Sequence, residues 1–224
     1  MLGAAVSRSD CDSLRSAITD ALTDSDRHTR SRRGNVYAAR NLIDHVAQTH
    51  TVWQNERLLS YLRRYLGSKF GLVRVLFFDK PPEQSWSLAW HRDESIAVID
   101  NQTQSTFFSR PTIKAGVPHL VADRTLLDRM LTLRIHLDQV TDENGPLKLI
   151  PRSHAQCDAA VDMDGHIVIH ADVGDVLAMR PRIFHASGGC QPGTRRHRRV
   201  LHLEFAPDAL LPDGVRWHRF IQPN

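Results

Sequence analysis

A histidine followed two places later by an acid occurs four times in this chain: His91/Asp93, His136/Asp138, His170/Asp172 and His202/Glu204. In an extended segment, side chains two apart project to one face, so each pair can aim an imidazole and a carboxylate at a common point. One more imidazole would complete a facial set of two His and one carboxylate. That is the ligand set of non-haem Fe(II) oxygenases, with the opposite coordination positions left open. The stretch Trp90-His91-Arg92-Asp93, with His185 far downstream, offers one such combination. With 13 His and 25 acidic residues in 224, this spacing also arises by chance, so the surroundings must separate the four pairs.

The elements that position these pairs follow from periodicity. From Ser9 to Asp24, Cys11, Leu14, Ile18 and Leu22 recur at helical spacing, with Ser9 or Asp10 as N-cap. Residues 25–35 are polar and basic and read as a loop. Two further helices are expected over 37–48 and 54–66, the second ending at Gly67. The period then changes. Gly71–Phe78 reads as a strand, closed by Pro81 and Pro82, and Ser95–Asp100 as another. Residues 101–119 read as a long irregular excursion, and 123–130 as a short helix. Met130–Val140 alternates, with Leu131, Leu133, Ile135 and Leu137 on one face and Thr132, Arg134, His136 and Asp138 on the other. Short strands follow at 147–150, 166–170, 173–179 and 198–205, separated by turn residues. The pattern predicts a mainly β (α+β) fold, a jelly-roll barrel with flanking N-terminal helices, as one domain over 1–224: a helical part at 1–70 and a β core at 71–206.

Composition narrows the function. The net charge of +4 is concentrated in Arg30, Arg32 and Arg33 and in the run Arg195 to Arg199. Without an aromatic stacking platform, this argues for solvated charge rather than a nucleic-acid interface. Cys11, Cys157 and Cys190 have no paired spacing, which argues against disulfides and zinc knuckles and suits a reducing cytoplasm. No signal peptide or membrane span is read in the sequence. The sequence leaves the oligomeric state open.

Seven segments now carry a resemblance: FFDKPPEQSW, AWHRDESIAV, KAGVPH, RMLTLRIHLD, NGPLKLIPRSH, RIFHASGG and RRVLHLEFA. Their order, His-x-Asp, then a distal His, then an Arg opening the last strand, resembles the phytanoyl-CoA dioxygenase family of Fe(II)/2-oxoglutarate dioxygenases, in particular its bacterial members, from about Phe77 to Ala206. The resemblance implies a double-stranded β-helix, or cupin-like jelly roll, with His91, Asp93 and His185 as iron ligands. It also implies that 2-oxoglutarate is fixed through its distal carboxylate by the guanidinium of Arg198. Counting forward from His185 would also allow Arg196. His136 and Ser187 match positions beside the cosubstrate, and Lys80, Lys114 and His119 are placed at the pocket mouth. Trp86, Trp90, Phe107 and Phe108 are candidates for an apolar pocket lining.

The activity implied is hydroxylation of a C–H bond in a small organic molecule with O2, coupled to decarboxylation of 2-oxoglutarate to succinate and CO2. A halogenating relative would replace the carboxylate by a small residue, so Asp93 implies hydroxylation. Basic residues at the mouth would suit an anionic substrate such as a thioester of coenzyme A or a carrier protein. The competing reading is a jelly roll that binds metal or a small molecule without oxygenase activity.

Overall fold

Alternation along the long strands divides the molecule into an apolar layer and a polar layer, and the helices lie against the apolar one. The computed structural model describes residues 1–23, 29–32, 35–82, 86–156 and 161–224. Its helices are α1 (Arg8–Thr23), α2 (Glu56–Leu66) and the single turn α3 (Arg124–Leu127). The described strands are β1 (Thr29–Arg32), β2 (Asn35–Ala39), β3 (Gly71–Lys80), β4 (Leu88–His91), β5 (Ser95–Ala97), β6 (Phe108–Lys114), β7 (Val117–Ala122), β8 (Leu131–His136), β9 (Leu147–Leu149), β10 (Ile167–Ile169), β11 (Val176–Met179), β12 (His185–Ser187) and β13 (Arg198–Ala206).

A six-stranded sheet runs β1-β2-β3-β13-β8-β11, and a four-stranded sheet runs β10-β9-β12-β4. A three-stranded sheet, β5-β7-β6, extends the fold at one end. The named strand pairs are antiparallel. The large sheet turns Leu72, Val75, Phe77, Leu131, Leu133, Ile135, Leu201, Leu203 and Phe205 toward Leu14 and Ile18 of α1 and Leu58 and Leu62 of α2. Trp53 is fully buried there, edge-on to Phe205 at 5.1 Å and to Phe70 at 6.0 Å. Helix α2 forms where apolar residues repeat at i, i+1, i+4 and i+8; Asn55 caps it by accepting from the Leu58 N–H at 3.1 Å, and Gly67 closes it at φ 84°. The first helix begins one residue earlier than the sequence indicates, because the Ser7 hydroxyl accepts from the Asp10 N–H at 3.1 Å.

Three expectations need correction. The helix expected over 37–48 is instead β2 followed by two 3₁₀ turns, Leu42–Asp44 and Ala47–His50. Asn41 at φ 59° interrupts any helix, Ala38 and Ala39 pair with Phe78 and Phe77, and Asp44 is held by His218 and Arg219 at 2.7 and 2.6 Å. A short apolar run does not by itself distinguish helix from strand, and sheet pairing decides here. Residues 1–70 are therefore not wholly helical. The loop expected over 25–35 lies partly outside the described residues, as does Cys157; residues 29–32 form β1. The irregular excursion at 101–119 contains the β6–β7 hairpin, turned by Ala115 and Gly116 at φ 52° and 78°. Two positive φ values fit a tight hairpin turn, and Pro111 on the edge strand β6 masks the strand pattern.

The C-terminal residues add further pairing beyond 206. Ile221 bridges Leu72 and Trp217 bridges Val98, which places Trp217 in a second apolar cluster with Ile96, Leu120 and Met130.

Candidate functional site

Register builds the site. Strands β4 and β12 are neighbours, and His91 and His185 are directly paired across them, which brings their rings to 4.2 Å between centroids. Asp93 lies two residues past His91, with its backbone N–H donating to Pro181 O at 3.0 Å. Its Oδ1 is 3.8 Å from His91 Nε2 and its Oδ2 is 3.6 Å from His185 Nε2. One donor atom from each residue falls within 4.8 Å of the others, and among the described residues no other group of three or more His, Cys, Asp or Glu meets that condition.

The donor chemistry fits a divalent metal. The Nδ1 atoms of His91 and His185 each lie 2.8 Å from a backbone carbonyl, Ala89 and Ile183 respectively, which fixes both tautomers and leaves the Nε2 lone pairs available to a metal. Burial pushes the Asp93 carboxyl up, but His185, His202 and His91 outweigh it and hold Asp93 below the usual carboxylate range. Between His91 and Asp93, Arg92 points away, donating to Ser153 O at 2.9 Å and lying 5.4 Å over the Phe184 ring, and so anchors the segment.

The acids of the other three pairs are engaged elsewhere. Asp138 takes Arg199 in a fork of two 2.8 Å bonds. His170 bonds Asp142 at 2.8 Å while Asp172 accepts from Gln139 at 2.9 Å. Glu204 lies 3.6 Å from Arg74.

The face of the large sheet opposite the helices is polar and buried. Arg74, Lys80, Thr132, Arg134, His136, Arg198, His202 and Glu204 lie along it, all below a tenth exposed. Arg198 opens β13, 1 % exposed, and its Nε and Nη1 have no hydrogen-bond partner. Arg196 is half exposed at the surface, donating to Gln139 at 2.9 Å and pairing with Glu143 at 3.3 Å, so of the two candidates only Arg198 faces the interior.

Lys80 is not at the pocket mouth, where its place in the sequence suggests it could reach substrate. It is fully buried beside Arg198, its register partner on β13. Its Nζ donates to Ser187 Oγ at 3.0 Å and to the Gly188 carbonyl, and lies 4.7 Å over the Trp86 ring. Burial, then the Arg198 charge, pushes the amine down to about 6. Gly145, at φ 68°, permits this arrangement: a Cβ there would overlap the Gly188 carbonyl oxygen. Arg134 is buried with its Nε unpartnered, and burial and Arg198 depress it well below its ordinary value.

His136 lies on this face, its Nδ1 3.1 Å from Asp175 O, and burial pushes it down to about 3. His119 also departs from the mouth position: it is fully buried, with Nδ1 2.9 Å from Val117 O, and burial pushes it down to about 4. Lys114 does line the cavity beside the triad and bonds Ser95 Oγ at 2.7 Å. That cavity measures about 510 Å³ and includes Tyr37, Arg40, Arg74, Phe78, Trp86, His91 and Asp93.

Of the four aromatics singled out in the sequence, Trp86 lines the cavity. Trp90 instead stacks on Phe184 at 5.5 Å, Phe108 packs with Val73 and Ile96, and Phe107 is exposed. The sequence motifs do not single out Arg74, Arg134 or Tyr37 as site residues, and His202 enters only through one of the four pairs. For Arg134 and His202 a signal exists, since both lie on the polar alternation of their strands.

Solved structures share this architecture. EctD from S. alaskensis in its apoform aligns with TM-score 0.68 at 16% identity, over 98% of this chain and 80% of that one. AviO1 from Streptomyces viridochromogenes Tue57 aligns with TM-score 0.62 at 21% identity, over 92% and 86%. EvdMO1 aligns with TM-score 0.62 at 21% identity, over 88% of this chain but only 44% of its own, so this chain spans less than half of that protein. At these identities the likeness concerns the fold. The sequence match is separate: the family model described as phytanoyl-CoA dioxygenase (PhyH) fits residues 2–198, a span that includes the HRD segment, His185 and Arg198. With that match over most of its length, the chain belongs to the phytanoyl-CoA dioxygenase family.

Proposed function

We propose that this protein is an Fe(II)- and 2-oxoglutarate-dependent dioxygenase that hydroxylates a C–H bond of a small organic substrate, releasing succinate and CO2. The family is one of Fe(II)/2-oxoglutarate-dependent oxygenases. EctD has been solved with bound Fe and with 2-oxoglutarate and 5-hydroxyectoine. The observation that carries the reading is a facial His91/Asp93/His185 set beside buried guanidinium groups with unpartnered nitrogens.

In this reading the Nε2 atoms of His91 and His185 and the Asp93 carboxylate would hold the iron. When bound, iron supplies the oxidising chemistry by activating O2 at the expense of 2-oxoglutarate. The chain's own residues bind and orient. Arg198, whose buried Nε and Nη1 are unpartnered, offers its guanidinium to the distal carboxylate of 2-oxoglutarate. Lys80 and Ser187 stand beside it as further donors. The arriving carboxylate favours the charged form of Lys80, which burial disfavours in its absence. Trp86 covers the Lys80 amine and keeps water from it. His136, neutral at physiological pH, completes the polar floor near Arg198 and Arg134.

The test is succinate formation from 2-oxoglutarate by the purified protein, with and without Fe(II). Iron-dependent succinate release, lost in His91→Ala and His185→Ala, is expected. Binding of iron without any 2-oxoglutarate consumption would favour a metal-binding jelly roll instead.

A further inference from the structure

The cavity beside the triad is lined by two chemically unlike sets of residues. Tyr37, Phe78 and Trp86 form an aromatic set, with Trp86 5.8 Å from Tyr37 and 6.3 Å from Phe78. Arg40, Arg74 and Lys114 form a basic set. Neither set is needed to hold iron or the distal carboxylate of 2-oxoglutarate, which the residues above already account for.

The basic set is close to the metal ligands. Arg74 donates to the Ser95 carbonyl and Lys114 to the Ser95 hydroxyl at 2.7 Å, and Ser95 is two residues from Asp93. The Arg74 Nε is buried and has no partner. Two acids line the same cavity, Asp93, which the metal set uses, and Glu94. Glu204 lies 3.6 Å from Arg74, and burial pushes its carboxyl up. Burial and then the charges of Arg74 and Arg40 hold the Lys114 amine below its ordinary value, a cost that a bound anion would relieve.

A coenzyme A thioester carries its phosphates at the far end of a long flexible arm and calls for cations at the rim of a pocket. Here the cations are beside the metal ligands. We infer that the substrate is a small free organic acid whose own carboxylate or phosphate monoester is held by Arg74, Lys114 and Arg40, within a few bonds of the oxidised carbon, while its apolar body rests on Tyr37, Phe78 and Trp86. This reverses the sequence-based expectation of a thioester and rests on the dioxygenase reading. A cavity of this volume suits a small ligand.

The experiment uses the full protein, anaerobic, loaded with Fe(II) and 2-oxoglutarate, whose visible charge-transfer band reports the metal–cosubstrate complex. Hexanoate, phenylacetate, 3-phenylpropionate and phenyl phosphate are titrated by calorimetry and by perturbation of that band. The matched carboxamides and phenylacetyl-coenzyme A are titrated alongside. At least one free acid is expected to bind about tenfold or more tightly than its uncharged match. Preference for phenylacetate or for phenyl phosphate assigns the anion as carboxylate or phosphate monoester. Lys114→Met and Arg74→Gln are each expected to weaken that acid about tenfold while the 2-oxoglutarate midpoint of the band stays put. Lys114, only half-buried, keeps the test open should Arg74→Gln fail to fold. Equal binding of amides and acids, binding of the thioester alone, failure of every acid, or an unchanged Lys114→Met overturns the inference. Absence of the band in the unsubstituted protein instead removes the dioxygenase reading itself.

Discussion

The two faces of the six-stranded sheet are built from the same strands and obey opposite rules. On the helix side, Leu133, Leu201, Leu203 and Phe205 are fully buried against α1 and α2, and packing accounts for every one of them. On the other side the intervening residues, Arg134, Arg198, His202 and Glu204, are buried to nearly the same depth, yet several of their polar atoms have no partner. Burying a charge without a partner is costly, and packing alone does not explain accepting that cost several times on one face. The apolar face stabilises the fold, and the polar face gives up part of that stability, as the anion site proposed above requires.

Substitutions on the two faces should therefore have opposite signatures. The largest effect is expected from Phe205→Ala, which should cost about 3–5 kcal/mol of stability by leaving a cavity against Trp53 and Phe70. Denaturant unfolding measures it, and 2-oxoglutarate affinity of the folded fraction should be unchanged. On the polar face, Arg198→Met should lower 2-oxoglutarate affinity by roughly a hundredfold, about 2.7 kcal/mol, without destabilising the ligand-free protein. Calorimetric titration with Mn(II) in place of iron reads the first effect and thermal unfolding the second. Lys80→Met should raise ligand-free stability by about 1 kcal/mol, since it removes a buried amine.

The pH dependence follows from the same amine. Lys80 holds its proton up to about pH 6 in the folded state but up to its ordinary 10.5 when unfolded, so between those values the unfolded chain binds more protons. Its destabilising contribution is therefore largest below about pH 6 and shrinks as pH rises through that window. Glu204 acts in the opposite sense, but only below about 7. Unfolding measured between pH 7 and 10 should show a smaller rise with pH in Lys80→Met than in the unsubstituted protein. A mutant slope equal to the unsubstituted one would show that Lys80 is not held neutral. The smallest effect is expected for Arg196→Ala, within about 0.5 kcal/mol in both stability and 2-oxoglutarate binding.

Much of this contrast is legible in the sequence where alternation is strict. Leu131, Leu133 and Ile135 against Thr132, Arg134 and His136 specify both faces of β8 by period alone, and β13 is equally regular. The His91, Asp93, His185 and Arg198 set is readable only through the order of motifs along the chain, because spacing alone leaves four pairs open. What is not legible depends on contacts between distant segments. Lys80 reads as a loop lysine next to two prolines, and only its pairing with Arg198 across β3 and β13 shows it pointing inward. Tyr37 and Arg40 reach the cavity because β2 joins the sheet edge, where local periodicity indicates a helix. His119 reads as a loop residue because Pro111, Gly116 and Pro118 conceal a hairpin.

The central claim, that the polar face and the His91/Asp93/His185 set form one Fe(II)/2-oxoglutarate site, is tested most directly by the visible charge-transfer band of the anaerobic protein with Fe(II) and 2-oxoglutarate. The account predicts a band in the unsubstituted protein and in Arg196→Ala, its loss in Asp93→Ala, and a 2-oxoglutarate midpoint raised about a hundredfold in Arg198→Met. Bound iron without a band, or an Arg198→Met protein that keeps the unsubstituted midpoint, would contradict it.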